Sequence, residues 1–315
     1  MNQPGNALLV SQIIEALPEQ LRGSVVLEVM ENVDSTSDEL SRRSGHADVS
    51  GCVVLAEQQT AGRGRRGRVW SSPAMKNVYL SLAWRMDLEP QDLAGLSLAL
   101  GCSVAEALER DVLSIAAAQA AILTGKPAVE TENVLQLKWP NDVYANHRKL
   151  GGIIVDVANA SDGGVTVIAG IGINVLMAGD DDVGVDQPFI GLVELIPRPE
   201  RSVGVDGPAK VSAGGSVEET RWVVLDRNRV AASIIEAAVG VLQAWSTSGF
   251  GSWQGAWQAR DMMLGQRVSI IGAESIEGVA RGVNAEGALL IETVEGFKTV
   301  WGGDVSLRRQ VQESV

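Results

Sequence analysis

The amino-acid sequence predicts an α/β protein in two parts, a large domain of strands and helices and a small C-terminal β domain. Two observations lead to this prediction. Over most of the chain, short apolar runs rich in β-branched residues alternate with longer segments of helical apolar spacing. From Gly265 onward, five short strand-like runs occupy about 45 residues, a pattern typical of a β-barrel the size of an SH3 domain. The predicted domains are residues 1–262 and 263–315.

The composition favours a globular cytoplasmic protein. The 315 residues are 45% hydrophobic and carry a net charge of −13, whereas nucleic-acid binders are usually basic, so no DNA partner is expected. Cys52 and Cys102 form neither a zinc-site spacing nor a disulfide framework, which fits a reducing cytosol. Residues 1–10 lack the charged start and long apolar core that are expected of a signal peptide, and no apolar run reaches the roughly 18 residues expected to span a bilayer. We therefore expect no membrane partner.

The first elements are a predicted helix over Leu8–Leu21, a strand over Val25–Val29 and a second helix with a polar start. Asp34, Ser35 or Thr36 can cap this second helix. The hydroxyls of Ser35 and Thr36 are equally able to meet a ligand at the helix N-terminus, so both roles stay open.

An arginine-rich segment follows the predicted strand Cys52–Ala56. Residues 62–68 read Gly-Arg-Gly-Arg-Arg-Gly-Arg, and each glycine costs a helix about 1 kcal/mol relative to alanine. The segment is therefore predicted to be a loop with accessible N–H groups and dense positive charge. Such a loop suits a polyanion, above all a nucleotide phosphate chain. A solvated basic loop or an Arg-Gly contact to nucleic acid fits the segment taken alone equally well.

The centre of the chain predicts a strand over Asn77–Arg85, a helix over Leu93–Leu108 and a loose alanine-rich extension over Ser114–Asn133. A strand from Leu135 then reaches Lys138 and ends at Pro140, which cannot donate to a sheet ladder.

The polar residues that follow this strand offer ligands. Asp142 is either a Mg²⁺ ligand, because Mg²⁺ prefers oxygen donors, or part of a solvated turn. Residues 146–149 are predicted to form a hairpin tip, and a strand over Leu150–Val157 follows. Its paired glycines, Gly151 and Gly152, allow a ligand or backbone to approach closely.

The last third of the large domain carries weaker signals. The predicted strand Val165–Ala169 leads into Gly170-Ile171-Gly172-Ile173-Asn174, and no helix pattern opens after it, which argues against a Rossmann site. Residues 179–220 are rich in Pro, Gly and Ser and are predicted to be a flexible insertion. A long apolar helix is predicted from Asp226.

Taken together, these motifs resemble the biotin protein ligase family, in its short form without an N-terminal DNA-binding domain. The matching pieces are Asp34-Ser35-Thr36, Glu57-Gln58-Gln59, the segment 62–68, Lys138-Trp139-Pro140-Asn141-Asp142, Lys149-Leu150-Gly151-Gly152, Gly170-Ile171-Gly172-Ile173-Asn174 and Gly303-Asp304-Val305. Their order and spacing fit over nearly the whole chain. One departure is Phe189-Ile190-Gly191-Leu192, which stands where the family usually has an Ala-Thr-Ser-Leu-like stretch.

The resemblance implies a catalytic domain like that of class II tRNA synthetases, with a mixed sheet and flanking helices, followed by an SH3-like domain. It implies that biotin and MgATP form biotinyl-5′-AMP, from which biotin passes to a lysine of a biotin carboxyl carrier protein.

The resemblance also implies roles for individual residues. Arg65 and Lys149 are the predicted catalytic residues. The predicted biotin-binding residues are Ser35, Thr36, Gln59, Gly62, Arg63, Arg65, Lys149, Gly151 and Gly152. The predicted ATP-binding residues are Arg63, Arg66, Trp70, Lys138, Asn141, Asp142 and Asn174, with Asp142 also the Mg²⁺ ligand. Trp70 either closes over the substrates or anchors the end of the loop.

Two other classes of function compete with this interpretation. A lipoate or octanoyl ligase or transferase shares the fold and the type of acceptor. Such a protein is not expected to carry residues 62–68, hereafter the arginine loop, together with the motif Lys138–Asp142. A non-enzymatic nucleic-acid binder would use the same loop, but the acidic chain argues against it.

Overall fold

The computed structural model describes residues 7–125, 127–159, 164–178, 187–196, 225–271, 275–302 and 306–309 of the chain. Across these residues the chain forms a seven-stranded mixed sheet, helices on both of its faces, and a five-stranded C-terminal sheet. The predicted α/β fold class is confirmed. Of the predicted insertion at 179–220, only residues 187–196 lie within the described residues.

The large sheet has the strand order β1-β2-β3-β7-β6-β5-β4. β1 and β2 are parallel, and the other neighbouring strands are antiparallel. The strands are β1 Val26–Val33, β2 Cys52–Gln59, β3 Val78–Met86, β4 Gln136–Lys138, β5 Asp142–Ala145, β6 Arg148–Asn159 and β7 Val165–Ile173.

The six α-helices of the described residues are α1 Val10–Ala16, α2 Thr36–Ser44, α3 Leu96–Ala107, α4 Ser114–Thr124, α5 Arg227–Ser248 and α6 Gln254–Arg260. α2 packs on one face of the sheet, where Leu40 contacts a small cluster with Val54, Ala83 and Ile168. The main core lies on the opposite face, beneath α3 and α5.

Helix α2 begins where the sequence predicts. Ser35 is its N-cap and accepts a hydrogen bond from the Asp38 N–H at 3.4 Å. Acidic residues occupy the first turn and Arg42 and Arg43 the last, which complements the helix dipole. Thr36 and Ser37 in the first turn are buried, and their hydroxyls bond Ser81 on β3, which fixes this turn against the sheet.

Two helix predictions were wrong. The predicted first helix is shorter, because α1 ends at Ala16 and Pro18 separates it from a short 3₁₀ turn. The helix predicted to end at Leu108 continues through a π-helical turn, Leu108–Leu113, into α4, where a loose extension was expected. Alanine is the strongest helix former, and Ala116, Ala117 and Ala120 are buried on the inner side of α4.

Helix α5 is apolar and 22 residues long, enough by length and composition to span a bilayer. In this fold 61% of its most apolar window is buried, and Ile234, Ile235 and Trp245 belong to the main core. α5 is the central helix of the large domain.

The C-terminal sheet contains the five predicted strands, all antiparallel, in the order β11-β10-β9-β8-β12. They are β8 Arg267–Ile271, β9 Ile276–Val283, β10 Leu289–Thr293, β11 Gly296–Val300 and β12 Ser306–Arg309. One hydrogen bond joins the turn before β10 to the turn after β4, from Trp139 Nε1 to the Gly287 carbonyl at 3.1 Å. Ahead of β8, the Met262 N–H also donates to the Leu137 carbonyl in β4 at 3.0 Å. The C-terminal sheet is thereby held against the part of the chain that leads into the polar turn at Asn141.

Candidate active site

The face of the large sheet that carries α2 also carries the floor of a cavity. The strand register pairs Tyr79 with Gly172, Gly172 with Gly152, and Gly152 with Asp142. Directly opposed residues share a face, so these four form one row across β3, β7, β6 and β5. The cavity above the row has a volume of about 110 Å³ and opens to solvent at its mouth.

Most of the predicted site residues meet at this cavity or at a second one beneath the arginine loop. The first is lined by the predicted residues Ser35, Thr36, Gln59, Arg63, Arg65, Trp70, Asn141, Asp142, Lys149 and Gly152. The second, with a volume of about 580 Å³, is lined by the predicted residues Gly62, Arg63, Arg65, Arg66 and Asn141. Lys138, Gly151 and Asn174 line neither cavity.

One end of the first cavity is a hydrogen-bonded polar cluster. Gln59 Oε1 accepts from the Thr36 N–H at 2.9 Å, and Gln59 Nε2 donates to Ser72 Oγ at 3.0 Å. Thr36 Oγ1 lies 2.8 Å from Ser81 Oγ, which also bonds Ser37 Oγ at 2.9 Å. This cluster gives the cavity fixed donors and acceptors of the kind that recognise a neutral polar ring.

The arginine loop closes on itself at its neck. Trp70 N–H donates to the Gly62 carbonyl at 2.8 Å, and Gly64 N–H donates to the Arg68 carbonyl at 2.7 Å. A Cβ on Gly62 would lie 2.5 Å from the Trp70 carbonyl oxygen, so only glycine fits this crossing. At the tip, residues Arg65–Gly67 form a 3₁₀ turn with Arg66 at φ +61°. The loop is thus a short hairpin with arginines at both neck and tip.

Arg63, at the neck, forms two ion pairs. Its Nη1 donates to Asp38 Oδ1 in α2 at 2.7 Å and to Asp156 Oδ2 in β6 at 2.9 Å. The pairs are about 40% exposed, so each is expected to contribute at most about 1 kcal/mol to stability. They nevertheless connect the loop to both sides of the first cavity.

Lys149 lines the first cavity from β6, two strands along the sheet from β3, which carries Ser81 of the polar cluster. Its Nζ pairs with Asp142 Oδ1 at 2.7 Å and lies 5.3 Å from the centre of the Trp70 ring. The side chain is only 12% exposed. The strand backbone is held on its far side, because Lys149 N–H bonds the Pro188 carbonyl and Ile190 N–H bonds the Lys149 carbonyl, both at 3.0 Å. Residues 188–190 therefore support the backbone of Lys149. Two of them, Phe189 and Ile190, belong to the stretch that departs from the family pattern.

Trp70 lies flat against the glycines of the sheet. A Cβ on Gly172 would come within 2.8 Å of the indole, and one on Gly152 within 3.4 Å. Of the two predicted roles, the geometry favours that of an anchor for the loop end. Because the ring also lines the first cavity and contacts Lys149, the same side chain provides an apolar wall for a ligand.

Three predicted residues sit behind the cavities. Asn174 is buried; its Nδ2 donates to the Lys149 carbonyl at 3.4 Å and to the Ile190 carbonyl at 3.3 Å. Lys138 pairs in register with Asp142 and lies 5.6 Å from the Tyr144 ring centre. Gly151 packs against Ile173 on β7. Their predicted ligand contacts stay predictions, and Asn174 is placed to orient Lys149.

A divalent cation has one predicted ligand here, Asp142. Among the residues the structure describes, no three His, Cys, Asp or Glu side chains cluster as a metal site. A single carboxylate is still compatible with Mg²⁺, which is often held by one or two carboxylates together with substrate phosphates. Asp142 therefore fits a cation that arrives with a nucleotide, once its pairing with Lys149 is rearranged.

The sequence did not identify two residues of β3 that border or support the site. Tyr79 and Ser81 alternate with the apolar core residues of that strand. Tyr79 lines the first cavity, and the buried Ser81 bonds the hydroxyls of Thr36 and Ser37. Burial raises the pKa of Tyr79, whose neutral hydroxyl donates to the Pro73 carbonyl at 3.0 Å. Period-2 alternation in residues 78–82 was the available signal.

A buried ion pair behind the site was missed as well. Arg227, fully buried at the start of α5, donates to Glu57 Oε2 at 2.6 Å and to the Asn77 carbonyl at 3.0 Å. Glu57 lies two residues before Gln59 on β2. The pair joins parts of the chain 170 residues apart, and no local pattern could have matched them.

Similarity to known proteins agrees with this site. Residues 29–174 match the Biotin/lipoate A/B protein ligase family, and residues 263–308 match the Biotin protein ligase C terminal domain. The second match is particular to biotin ligases and does not favour the lipoate alternative. The bifunctional ligase/repressor BirA of Escherichia coli is 33% identical over 290 residues, covering 92% of this chain and 76% of BirA.

One further relative and one solved structure match this chain over most of their own length. The biotin–[acetyl-CoA-carboxylase] ligase of Mycobacterium tuberculosis is 31% identical over 283 residues, which are 89% of this chain and 88% of that protein. A solved structure of the Aquifex aeolicus biotin protein ligase in complex with biotin and ATP superposes with a TM-score of 0.63 at 28% identity, covering 90% of this chain and 99% of that one. With the cavity, the arginine loop and both matched domains in agreement, this chain belongs to the biotin protein ligase family.

Proposed function

We propose that this protein activates biotin with MgATP and transfers it to a lysine of a biotin carboxyl carrier protein. The observation that carries the proposal is the polarity of the first cavity. It has a neutral hydrogen-bonding end at Thr36 and Gln59 and a cationic end at Lys149. Biotin has the same two ends, a neutral ureido ring and a carboxylate.

In this proposal the ureido ring occupies the polar cluster. Ser35 and Thr36 at the start of α2 and Gln59 at the end of β2 supply the donors and acceptors. Burial makes these bonds selective, because an analogue that leaves a buried polar group unpaired loses the most affinity. The valeryl chain passes the Trp70 wall and brings the carboxylate to Lys149 and Arg65.

The first reaction step joins two anions. The biotin carboxylate attacks the α-phosphorus of ATP, an acyl–phosphate bond forms, and pyrophosphate leaves. Positive groups fixed in place before the reaction lower the barrier, because they offset the repulsion and the developing charge. We assign this role to Lys149 and Arg65, supported by Arg66 at the tip of the loop.

The nucleotide is assigned to the second cavity, beneath the loop. Arg63, Arg66 and Asn141 border the space. Trp70, Lys138 and Asn174 do not line it, and their contacts to the nucleotide stay predictions. Bound Mg²⁺ would neutralise phosphate charge, with Asp142 as its protein ligand. In this arrangement Asn174 acts by holding the Lys149 backbone.

In the second step the carrier lysine amine attacks the mixed anhydride, an amide forms, and AMP leaves. The carrier is proposed to belong to a biotin-dependent carboxylase, in line with the name of the Mycobacterium tuberculosis relative. The cytoplasm is the proposed location and no DNA partner is proposed, although the E. coli relative is named a repressor as well as a ligase.

A pyrophosphate-release assay tests the proposed function against its alternative. Purified protein is incubated with MgATP and either biotin, lipoate or octanoate, each at the same concentration. Release with biotin and not with the two fatty acids supports the proposal. Release with octanoate or lipoate in place of biotin would assign the chain to the lipoate side of the matched family.

A further inference from the structure

The arginine loop has a second kind of contact besides those expected for substrates. Arg63 directs one terminal nitrogen to two carboxylates, Asp38 Oδ1 at 2.7 Å and Asp156 Oδ2 at 2.9 Å. Both carboxylates come from rigid elements, the first turn of α2 and the middle of β6. An arginine with two carboxylate partners is a poor candidate for capturing a further anion, because the local charge is already negative.

Because of the position of Arg63 within the loop, its two ion pairs connect the loop to the elements around the cavity. Arg63 lies at the neck, in a β-bridge with Val69, while Arg65 and Arg66 form the tip. α2 carries Ser35 and Thr36, and β6 carries Lys149 and Gly152. The two ion pairs therefore connect the loop to both walls of the first cavity.

We propose that Asp38 and Asp156 are positioning residues that, through Arg63, hold the arginine loop closed over the cavity while the acyl-adenylate waits for its acceptor. This inference rests on the proposed function. It reassigns Arg63 from substrate binding to fixing the loop. The contacts are exposed and individually weak, so the loop can still open for substrates and for the carrier lysine.

Loss of these ion pairs should affect retention of the acyl-adenylate more than its synthesis. The reacting groups are assigned to Lys149 and Arg65, whereas Asp38 and Asp156 both form ion pairs with Arg63. Loss of the two ion pairs should shift the loop toward open states, and a reactive mixed anhydride then escapes before transfer. Weak exposed pairs of this kind correspond to a release rate about threefold to tenfold higher when both are removed.

The test uses the full chain with Asp38→Asn and Asp156→Asn, singly and together. Asparagine keeps the size of the side chain and removes its charge. Asp87→Asn, a change at an exposed aspartate outside the site, is the matched control for lost negative charge. Three quantities are measured: pyrophosphate release with biotin and ATP, release of preformed adenylate in rapid filtration, and amide exchange of residues 62–70 with adenylate bound.

We expect Asp38→Asn, whose carboxylate lines neither cavity, to form adenylate within about twofold of the wild-type rate. The double variant should release adenylate about threefold to tenfold faster than wild type and exchange the loop amides faster. Raising the salt concentration should reduce the difference between wild type and double variant, because exposed ion pairs are screened. Asp87→Asn should behave as wild type.

Equal release and equal loop exchange in wild type and double variant would overturn the inference. So would a release rate that rises as much in Asp87→Asn as in the double variant. If wild-type protein forms no adenylate from biotin and ATP, the proposed function itself fails. The two failures are thus distinguishable.

Discussion

Lys149 Nζ lies 2.7 Å from Asp142 Oδ1 and 5.3 Å from the centre of the Trp70 ring. This pairing joins the two predicted chemical roles, a cation for the reacting carboxylate and a carboxylate for a metal ion. When neither substrate nor cation is bound, each group compensates the charge of the other. Substrate carboxylate and Mg²⁺ would divide the pair, so we expect the two to bind cooperatively.

Replacing Lys149 by methionine tests the cationic end of the cavity. Methionine keeps an unbranched side chain against Trp70 and removes the charge. Adenylate formation should fall about 10²–10³-fold, as for other single electrostatic contacts to a transition state. Single-turnover pyrophosphate release measures the rate. Lys298→Met, on an exposed C-terminal strand, is the control. A normal rate in Lys149→Met would remove Lys149 from the site.

Replacing Arg65 by glycine should weaken retention of the adenylate more than its synthesis, because Lys149 remains in place. Escaped biotinyl-5′-AMP would label lysines of a bystander such as serum albumin, detected by a biotin probe. Arg65→Ala separates loss of charge from added backbone freedom, and it should label the bystander as strongly as Arg65→Gly. Bystander labelling equal to wild type, with normal adenylate synthesis, would show that Arg65 does not retain the intermediate.

The buried pair of Arg227 and Glu57 is expected to dominate the stability of the region behind the site. Arg227→Met leaves a carboxylate with little exposure unpaired, which typically costs about 3–5 kcal/mol of unfolding free energy. Adding Glu57→Gln should recover part of this loss. Denaturant unfolding gives both values. A loss below about 1 kcal/mol in Arg227→Met would contradict the assignment.

Asp261, between α6 and the C-terminal sheet, predicts a dependence of stability on pH. Burial raises the pKa of its carboxyl from 3.8 to about 6, opposed by hydrogen bonds from the Met263 and Leu264 N–H groups. The folded state then binds this proton more tightly than the unfolded state. The contribution to stability is present below about pH 4 and is lost as the pH rises through about 6.

The comparison of wild type with Asp261→Asn isolates this effect. Relative to the variant, wild type should lose about 2–3 kcal/mol of unfolding free energy between pH 4 and pH 7, since one pKa unit corresponds to about 1.36 kcal/mol. Denaturant unfolding at a series of pH values measures the difference. A difference that stays constant over this range would show that Asp261 titrates normally.

The sequence predicted the parts of the site that are formed by a few consecutive residues of distinctive composition. The arginine loop, the Lys138–Asp142 turn and the glycines of β6 and β7 were recognisable because their chemistry is unusual over a few residues. Ser81 and Tyr79 were missed because in β3 they read only as strand residues. Their function depends on the register that brings β3 beside β7.

The fold was predictable to a similar degree and for a similar reason. Alternation and β-branched residues identified most strands, whereas α4 was missed because Gly125 and Pro127 drew the prediction toward a loop. Arg227 and Glu57 could not be paired, since nothing in either segment indicates the distant partner. Contacts set by tertiary packing were beyond reach of a single sequence.

Mass spectrometry of a biotin carboxyl carrier domain, after incubation with this protein, biotin and MgATP, tests the proposed biotin transfer most directly. We predict a gain of one biotinyl group on a single lysine of the carrier, dependent on ATP and absent when octanoate or lipoate replaces biotin. An unmodified carrier, or a carrier modified with octanoyl or lipoyl but not biotinyl, would show that this protein does not biotinylate the carrier.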